Sequence, residues 1–249
     1  RDDLIGSYPL NWNALIGLAK NNRVLWPLKP VHAISSFYSI YNNLTQELIP
    51  ERKDFIDKDF GTKTLNMMKT VSNELIKDCL TMDPIQTAEL MTETNEFYYC
   101  PYIYGFSNYS RKNYRKNILK YIDVMDLSGK GPAGTHLGGT GIAVSNESKN
   151  KDLALEYAFW IAGADCQKSL FYESGGQPGN SEAWKDQKIN QETNDFFKAT
   201  RKTLDLAWVR PRHNGYMEFQ DKSGDIINDY LQSEISAESI CEKLTDMYN

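Results

Sequence analysis

The stretch Gly129–Gly163, GKGPAGTHLGGTGIAVSNESKNKDLALEYAFWIAG, constrains the fold of this chain more than any other. A glycine-rich approach ends at His136-Leu137-Gly138-Gly139. A short β-type segment, Thr140 to Val144, follows, and the polar break Ser148-Lys149-Asn150-Lys151 leads into an amphipathic run. There Leu153, Ala154, Tyr157, Trp160 and Ile161 fit the i, i+3, i+4, i+7 spacing of a helix with one apolar face. Loop, strand and helix in this order are half of an α/β unit with exposed backbone at its mouth. Gly129, Gly131 and Gly134 literally satisfy G-x-G-x-x-G, but the pattern does not read as a dinucleotide site. A strand follows it rather than a helix, and Pro132 removes a backbone N–H that would hold phosphate.

The 249 residues suffice for one large or two modest domains with a real core. The net charge of −5 argues against a general nucleic-acid binder, and the basic run Ser110–Lys120 reads as a solvated loop. No apolar run approaches the ~20 residues of a membrane span, and no apolar leader segment follows Arg1-Asp2-Asp3. Cys79, Cys100, Cys166 and Cys241 are too widely spaced for a metal knuckle or a Cys-x-x-Cys pair, and read as small buried apolar residues.

Periodicity predicts helices over Asn11–Lys20, Val31–Ile49, Thr64–Leu80, Asp83 to about Thr92, Ala164–Tyr172, Gln191–Asp205, Gln220–Leu231 and Ser236–Tyr248, the last capped by Ser236. Strands are expected at Arg23–Leu28, Glu96–Phe106 and Tyr121–Met125, and a charged loop at Asp54–Phe60. In EFYYCPYIYGF, the two-residue period puts Tyr102 and Tyr104 on one face.

The block LGGTGIAVSNESKNKDLALEYAFWIAGADCQKSLF resembles the hinge-proximal segment of extracellular solute-binding proteins of ABC importers, in their carbohydrate-binding group (family 1). GGQPGNSEAW (Gly175–Trp184), VRPRHNGYMEFQ (Val209–Gln220) and the opening NWNALIGLAKNNRVLWPLKP are similar to further blocks of that family, so the resemblance spans nearly the whole chain. It implies an α/β, two-lobe, type II periplasmic-binding architecture. Residues 1–126 would be the first part of lobe two, 127–172 the returning part of lobe one, and 173–249 lobe two again with the C-terminal helices. It also implies that the chain is the later part of a longer, lipid-anchored protein at the extracellular face or in the periplasm, with the leader and the opening of lobe one upstream. The expected function is capture of a sugar-like solute by a monomer, without catalysis or cofactor, for delivery to a membrane permease.

The expected contacts follow from this resemblance and from side-chain chemistry. The family places a ligand-facing helix start at Ser36 and Tyr38, and an aromatic platform for a sugar ring at Tyr102 and Tyr104. The alternative for these aromatics is core packing. Gly138 and Gly139 let a ligand approach the backbone, and His136 beside them has a donor for a hydroxyl. Gln177 donates and accepts at once. Arg212, with Tyr216 nearby, has a fork suited to vicinal hydroxyls or to the carboxylate of an acidic sugar, while one of Arg210 and Arg212 would instead serve a salt bridge. The rival is a glycoside hydrolase using two of Glu96, Asp123 and Asp126. A third reading is an interaction-only fragment. No metal site is expected, since His, Asp and Cys do not cluster in sequence.

Overall fold

The computed structural model describes residues 1–47 and 55–248. Its α-helices are α1 (Asp2–Ile5), α2 (Trp12–Lys20), α3 (Pro30–Thr45), α4 (Lys58–Ser72), α5 (Pro84–Glu93), α6 (Lys151–Ala162), α7 (Ala164–Lys168), α8 (Leu170–Glu173), α9 (Ser181–Lys185), α10 (Gln187–Glu192), α11 (Phe196–Ala199), α12 (Arg201–Asp205), α13 (Tyr216–Leu231) and α14 (Ala237–Tyr248). Two compact units are made from alternating stretches: residues 1–104, 123–137 and 202–249 form the first, and 105–122 and 138–201 the second. Among the described residues, no helix is long and apolar enough to cross a membrane.

In the first unit, α3 packs along α13, and α14 lies against α4. Trp26, Phe37, Tyr38, Leu65, Met68, Ile227, Tyr230 and Leu244 fill the core between them. The close crossing of α13 over the start of α3 requires Gly224, since a Cβ there would fall 2.6 Å from the Pro30 carbonyl oxygen. Four residues on, the buried Asn228 side chain donates to the carbonyls of Leu28 (2.7 Å) and Leu80 (2.9 Å), clipping three distant segments together.

Several expected boundaries move. Asp57 caps the amides of Asp59 and Phe60, so α4 begins inside the expected charged loop. The helix expected to run to Leu80 stops at Ser72; extended backbone at Ile76 then opens a separate 3₁₀ turn, Lys77–Leu80. Asp83 and Gln86 form a capping box, with Pro84 at the first position of α5. Left-handed Asn194 and Asp195 divide the helix expected over Gln191–Asp205. The expected end of α3 beyond residue 47, and Asp54, lie outside the described residues.

The expected strands are extended segments without ladders. Among the described residues, the only β-pairings are isolated parallel bridges, Val24↔Tyr99 and His136↔Trp208. Pro27, Pro30 and Pro101 remove donors that a ladder would use. Around Tyr121–Met125, side chains take over. The Val124 N–H donates to Thr203 Oγ1 (3.0 Å), and Asp123 accepts from the Thr203 N–H and hydroxyl (both 2.8 Å).

The second unit has a smaller core around Phe196, Phe197, Ile189, Tyr172 and Tyr121, with Trp184 against Phe197 at 5.0 Å. Its α6 differs from expectation: the helix forms, but none of its residues is buried. Leu153 and Phe159 face solvent, while Tyr157 and Trp160, tilted against each other at 5.7 Å, stay half exposed.

Candidate functional site

The polar residues of α3 build the candidate site. Ser35, Tyr38, Ser39 and Asn42 recur at i, i+3, i+4 and i+7, so they share one helical face, and all four are buried. Asn42 and Asn43, in the last turns, anchor the incoming glycine-rich loop. Asn42 Nδ2 donates to Gly134 O (3.0 Å). Asn43 Nδ2 donates to Gly131 O (3.0 Å) and Ala133 O (2.9 Å), while Asn43 Oδ1 accepts from Leu127 N–H (2.7 Å). Gly134 is left-handed (φ 84°), and a Cβ there would meet the Asn42 Cβ at 2.4 Å, so glycine alone fits this approach.

The anchored loop delivers His136 to the α3 stripe. Its backbone N–H donates to Ser39 Oγ (3.2 Å), and its Nδ1 lies 3.0 Å from both Ser35 Oγ and Tyr104 OH. Trp208 pairs alongside, donating its N–H to Thr135 O (2.7 Å) and accepting from Leu137 N–H (2.8 Å). The Trp208 ring then sits 4.9 Å from Tyr38 and 5.6 Å from His136, and Tyr38 meets His136 edge-on at 5.9 Å.

Three polar atoms in this cluster are buried without a hydrogen-bond partner: His136 Nε2, Tyr38 OH and Tyr216 OH. The Tyr38 and Tyr216 hydroxyls lie close enough to act on each other as hydrogen-bonding groups, though not in good geometry, so His136 Nε2 is the atom of the three without any polar contact. Native interiors rarely leave such atoms unpaired, since each costs about 1–3 kcal/mol. His32 Nδ1 and His213 Nε2, beside Tyr104 and Tyr216 respectively, are also unpartnered.

The site is electrically neutral except for one cation. Burial, and then the charge of Arg210, lower the His136 pKa to about 4, so its imidazole is uncharged at neutral pH. Burial raises Tyr38 and Tyr104, and pushes Tyr216 up to about 12. These groups therefore hydrogen-bond as neutral donors and acceptors. Arg210 follows Trp208 by two residues; its Nη1 donates to Oε1 of the buried Gln220 on α13 (3.2 Å).

Of the residues expected from sequence, the first unit brings Tyr38, Tyr104, His136 and Tyr216 into this cluster. Ser36 is engaged elsewhere, its hydroxyl accepting from Trp26 Nε1 (3.0 Å). Tyr102 parts from Tyr104: it is buried against Trp26 at 6.0 Å, whereas Tyr104 turns to His32 and His136. Arg212 is exposed. Gly138, Gly139 and Gln177 belong to the second unit, where both glycines are exposed. Gln177 accepts from Ser107 N–H (2.6 Å) and donates to Gly105 O (3.1 Å), so its amide holds backbone there.

Sequence reasoning did not single out Ser35, Ser39, Asn42, Asn43 or Trp208, and gave Arg210 only as one of two arginines of which one would serve a salt bridge. The available signal was the helical spacing of Ser35, Tyr38, Ser39 and Asn42, a periodicity usually sought in apolar residues.

Two of the three carboxylates of the rival reading are committed elsewhere. Glu96 is exposed, and Asp123 holds Thr203. Asp126 accepts the backbone N–H groups of Ser128, Gly129 and Gly131. What burial it has raises the Asp126 pKa, but these bonds outweigh it and hold the carboxyl low, opposite to the need of a general acid. Among the described residues, no three His, Cys, Asp or Glu side chains gather to hold a metal ion. A cavity of about 210 Å³ in the second unit is lined by Arg111, Lys112, Tyr172 and Glu192. Arg111 already donates to the carbonyls of Tyr172 (3.1 Å) and Gly176 (3.2 Å).

No family model matches the sequence, and no curated relative matches it. Solved structures do match. MalE3 of T. maritima with maltose bound superposes with a TM-score of 0.81 at 16% identity, covering 100% of this chain and 68% of its own. An ABC transporter solute-binding protein from Agrobacterium radiobacter K84, in complex with ribitol, gives 0.77 at 17%, covering 99% and 66%. Another, from Thermotoga lettingae TMO with α-D-tagatose, gives 0.76 at 16%, covering 98% and 66%. The chain therefore has the type II periplasmic-binding fold, and spans about two thirds of the length of these proteins.

Proposed function

We propose that this chain captures a sugar or polyol for an ABC importer, holding it without chemical change. The observation that carries this reading is the buried, unpartnered His136 Nε2, with the Tyr38 and Tyr216 hydroxyls that meet only each other, beside the rings of Trp208 and Tyr104. A polyhydroxylated ligand supplies what that set lacks. Its hydroxyls both donate and accept, and a pyranose C–H face packs on an aromatic ring. Each such bond contributes modestly, about 1 kcal/mol, so affinity comes from their number. The fold supports the reading, because the similar structures carry maltose, ribitol and tagatose.

Delivery to a membrane permease, an extracellular or periplasmic location, a lipid anchor and a monomeric state belong to the same proposal. So does the division into lobes at 126/127 and 172/173. Contacts from Gly138, Gly139 and Arg212 are compatible with it, since all three residues are exposed.

The test is thermal unfolding of the full chain against maltose, ribitol, mannitol, tagatose and their monosaccharide relatives, with chromatography of any compound that acts. A ligand present at a hundredfold excess over Kd stabilises by about 2.7 kcal/mol. The expected result is a rise in Tm with the compound recovered intact. A cleaved compound would indicate a hydrolase instead, and no shift across the panel would remove the capture reading.

A further inference from the structure

We propose that the solute is an acidic sugar, whose carboxylate is received by Arg210 while its hydroxyls meet His136 and the two tyrosines. The inference rests on the capture reading above and narrows its ligand class.

The first argument is charge. Arg210 is exposed, but one corner of its guanidinium is fixed by the buried Gln220 side chain. The remaining N–H groups make no hydrogen bond, and no carboxylate pairs with it, among the described residues. The side chains that feel its charge, His136, Tyr104 and Tyr216, are neutral hydrogen-bonding groups. A cation held beside a neutral polar cluster is complemented by an anionic ligand. A planar fork anchored at one corner suits a carboxylate better than a point charge would.

The second argument is proton bookkeeping around His136. The Ser35 hydroxyl has one proton, and Ser35 Oγ lies 2.7 Å from the Val31 carbonyl, the back-bond common for serine in a helix. With that proton in place, Ser35 Oγ accepts at its 3.0 Å contact with the ring. We therefore assign the imidazole hydrogen to Nδ1, shared between Ser35 Oγ and Tyr104 OH. His136 Nε2 is then a bare acceptor, buried and without a partner. It needs a hydroxyl donor and repels a carboxylate, which confines the ligand's anionic end to Arg210. A molecule with a carboxylate at one position and donor hydroxyls at others is a sugar acid.

The test is isothermal titration of the full chain with matched pairs: D-glucuronate against D-glucose, and D-galacturonate against D-galactose. The expected result is that at least one acid binds about tenfold or more tightly than its neutral partner, the low end for a hydrogen bond to a charged group. Arg210→Gln should abolish that preference. Lys222→Gln, which removes a positive charge from the exposed pair with Glu218, should preserve it. Equal affinity within each pair, or a preference that survives Arg210→Gln, would overturn the inference and leave solute capture standing. Absence of binding by all four compounds, and by the polyols of the earlier panel, would overturn both.

Discussion

Helices α3 and α6 present the same message in sequence and meet opposite surroundings. Each carries apolar and aromatic residues at helical spacing. Yet α3 is buried without interruption from Ala33 to Asn43, while α6 buries nothing and leaves Phe159 76% exposed. Periodicity identifies which side of a helix seeks a partner. Whether a partner arrives depends on distant segments, and for α3 these are α13 and α4. Enclosure also changes the meaning of polar residues: Ser35, Ser39, Asn42 and Asn43 on α3 are parts of a built site, whereas the polar residues of α6 meet water.

The comparison breaks most visibly at Phe37, which is fully buried and stacked near Tyr41 and Phe55. Phe37→Ala should cost about 3–5 kcal/mol in urea unfolding. A loss below 1 kcal/mol would mean that α3 is not enclosed as described. Asn43→Ala should cost less, about 1–3 kcal/mol, by leaving Leu127 N–H, Gly131 O and Ala133 O without their partner. Asn43→Asp, which retains an acceptor but has no donor, should recover only part of that loss.

A pH titration probes the same enclosure at His136. Its folded-state pKa of about 4 lies below the usual 6.5, chiefly through burial. Between those values the unfolded chain binds a proton that the folded chain refuses. Stability should therefore fall as the pH drops through that window, by up to about 1.4 kcal/mol per pH unit. His136→Gln should flatten that segment of the profile, and an unchanged slope would place the imidazole in open water. The smallest effect should come from α6: Phe159→Ser is expected within about 0.5 kcal/mol of the parent, checked by the same urea series.

What sequence revealed, and what it did not, follows the range of the forces involved. The helix start at Asp83, the cap at Ser236 and the helical core of α3 are legible because short-range contacts decide them, whereas the Gln86 half of the capping box was not read. The glycine-rich loop stands out in sequence, but its anchor does not: Asn42 and Asn43 look like ordinary polar residues near a helix end. Ladders were expected where bridges stand, because β-spacing does not reveal that Thr203 will satisfy Val124 and Asp123 from far along the chain. Tyr104 and His136 were named singly. Their meeting depends on a loop closed by side chains more than 80 residues away in sequence, such as the Asn43–Leu127 bond with a separation of 84.

The Asn228 clip sets a timetable. Its amide joins carbonyls 200 and 148 residues upstream, and the unit it closes is assembled from three separate stretches of chain. During synthesis, Leu28 must wait 200 residues and Leu80 148 before their final partner exists. Trp208, which completes the aromatic wall beside His136, arrives only shortly before it. Closing such long loops costs little extra free energy, but pairing of high sequence separation is slow. The polar stripe of α3 thus stays wetted until Trp208 and α13 have been made, and the candidate site is completed in one step rather than built up segment by segment.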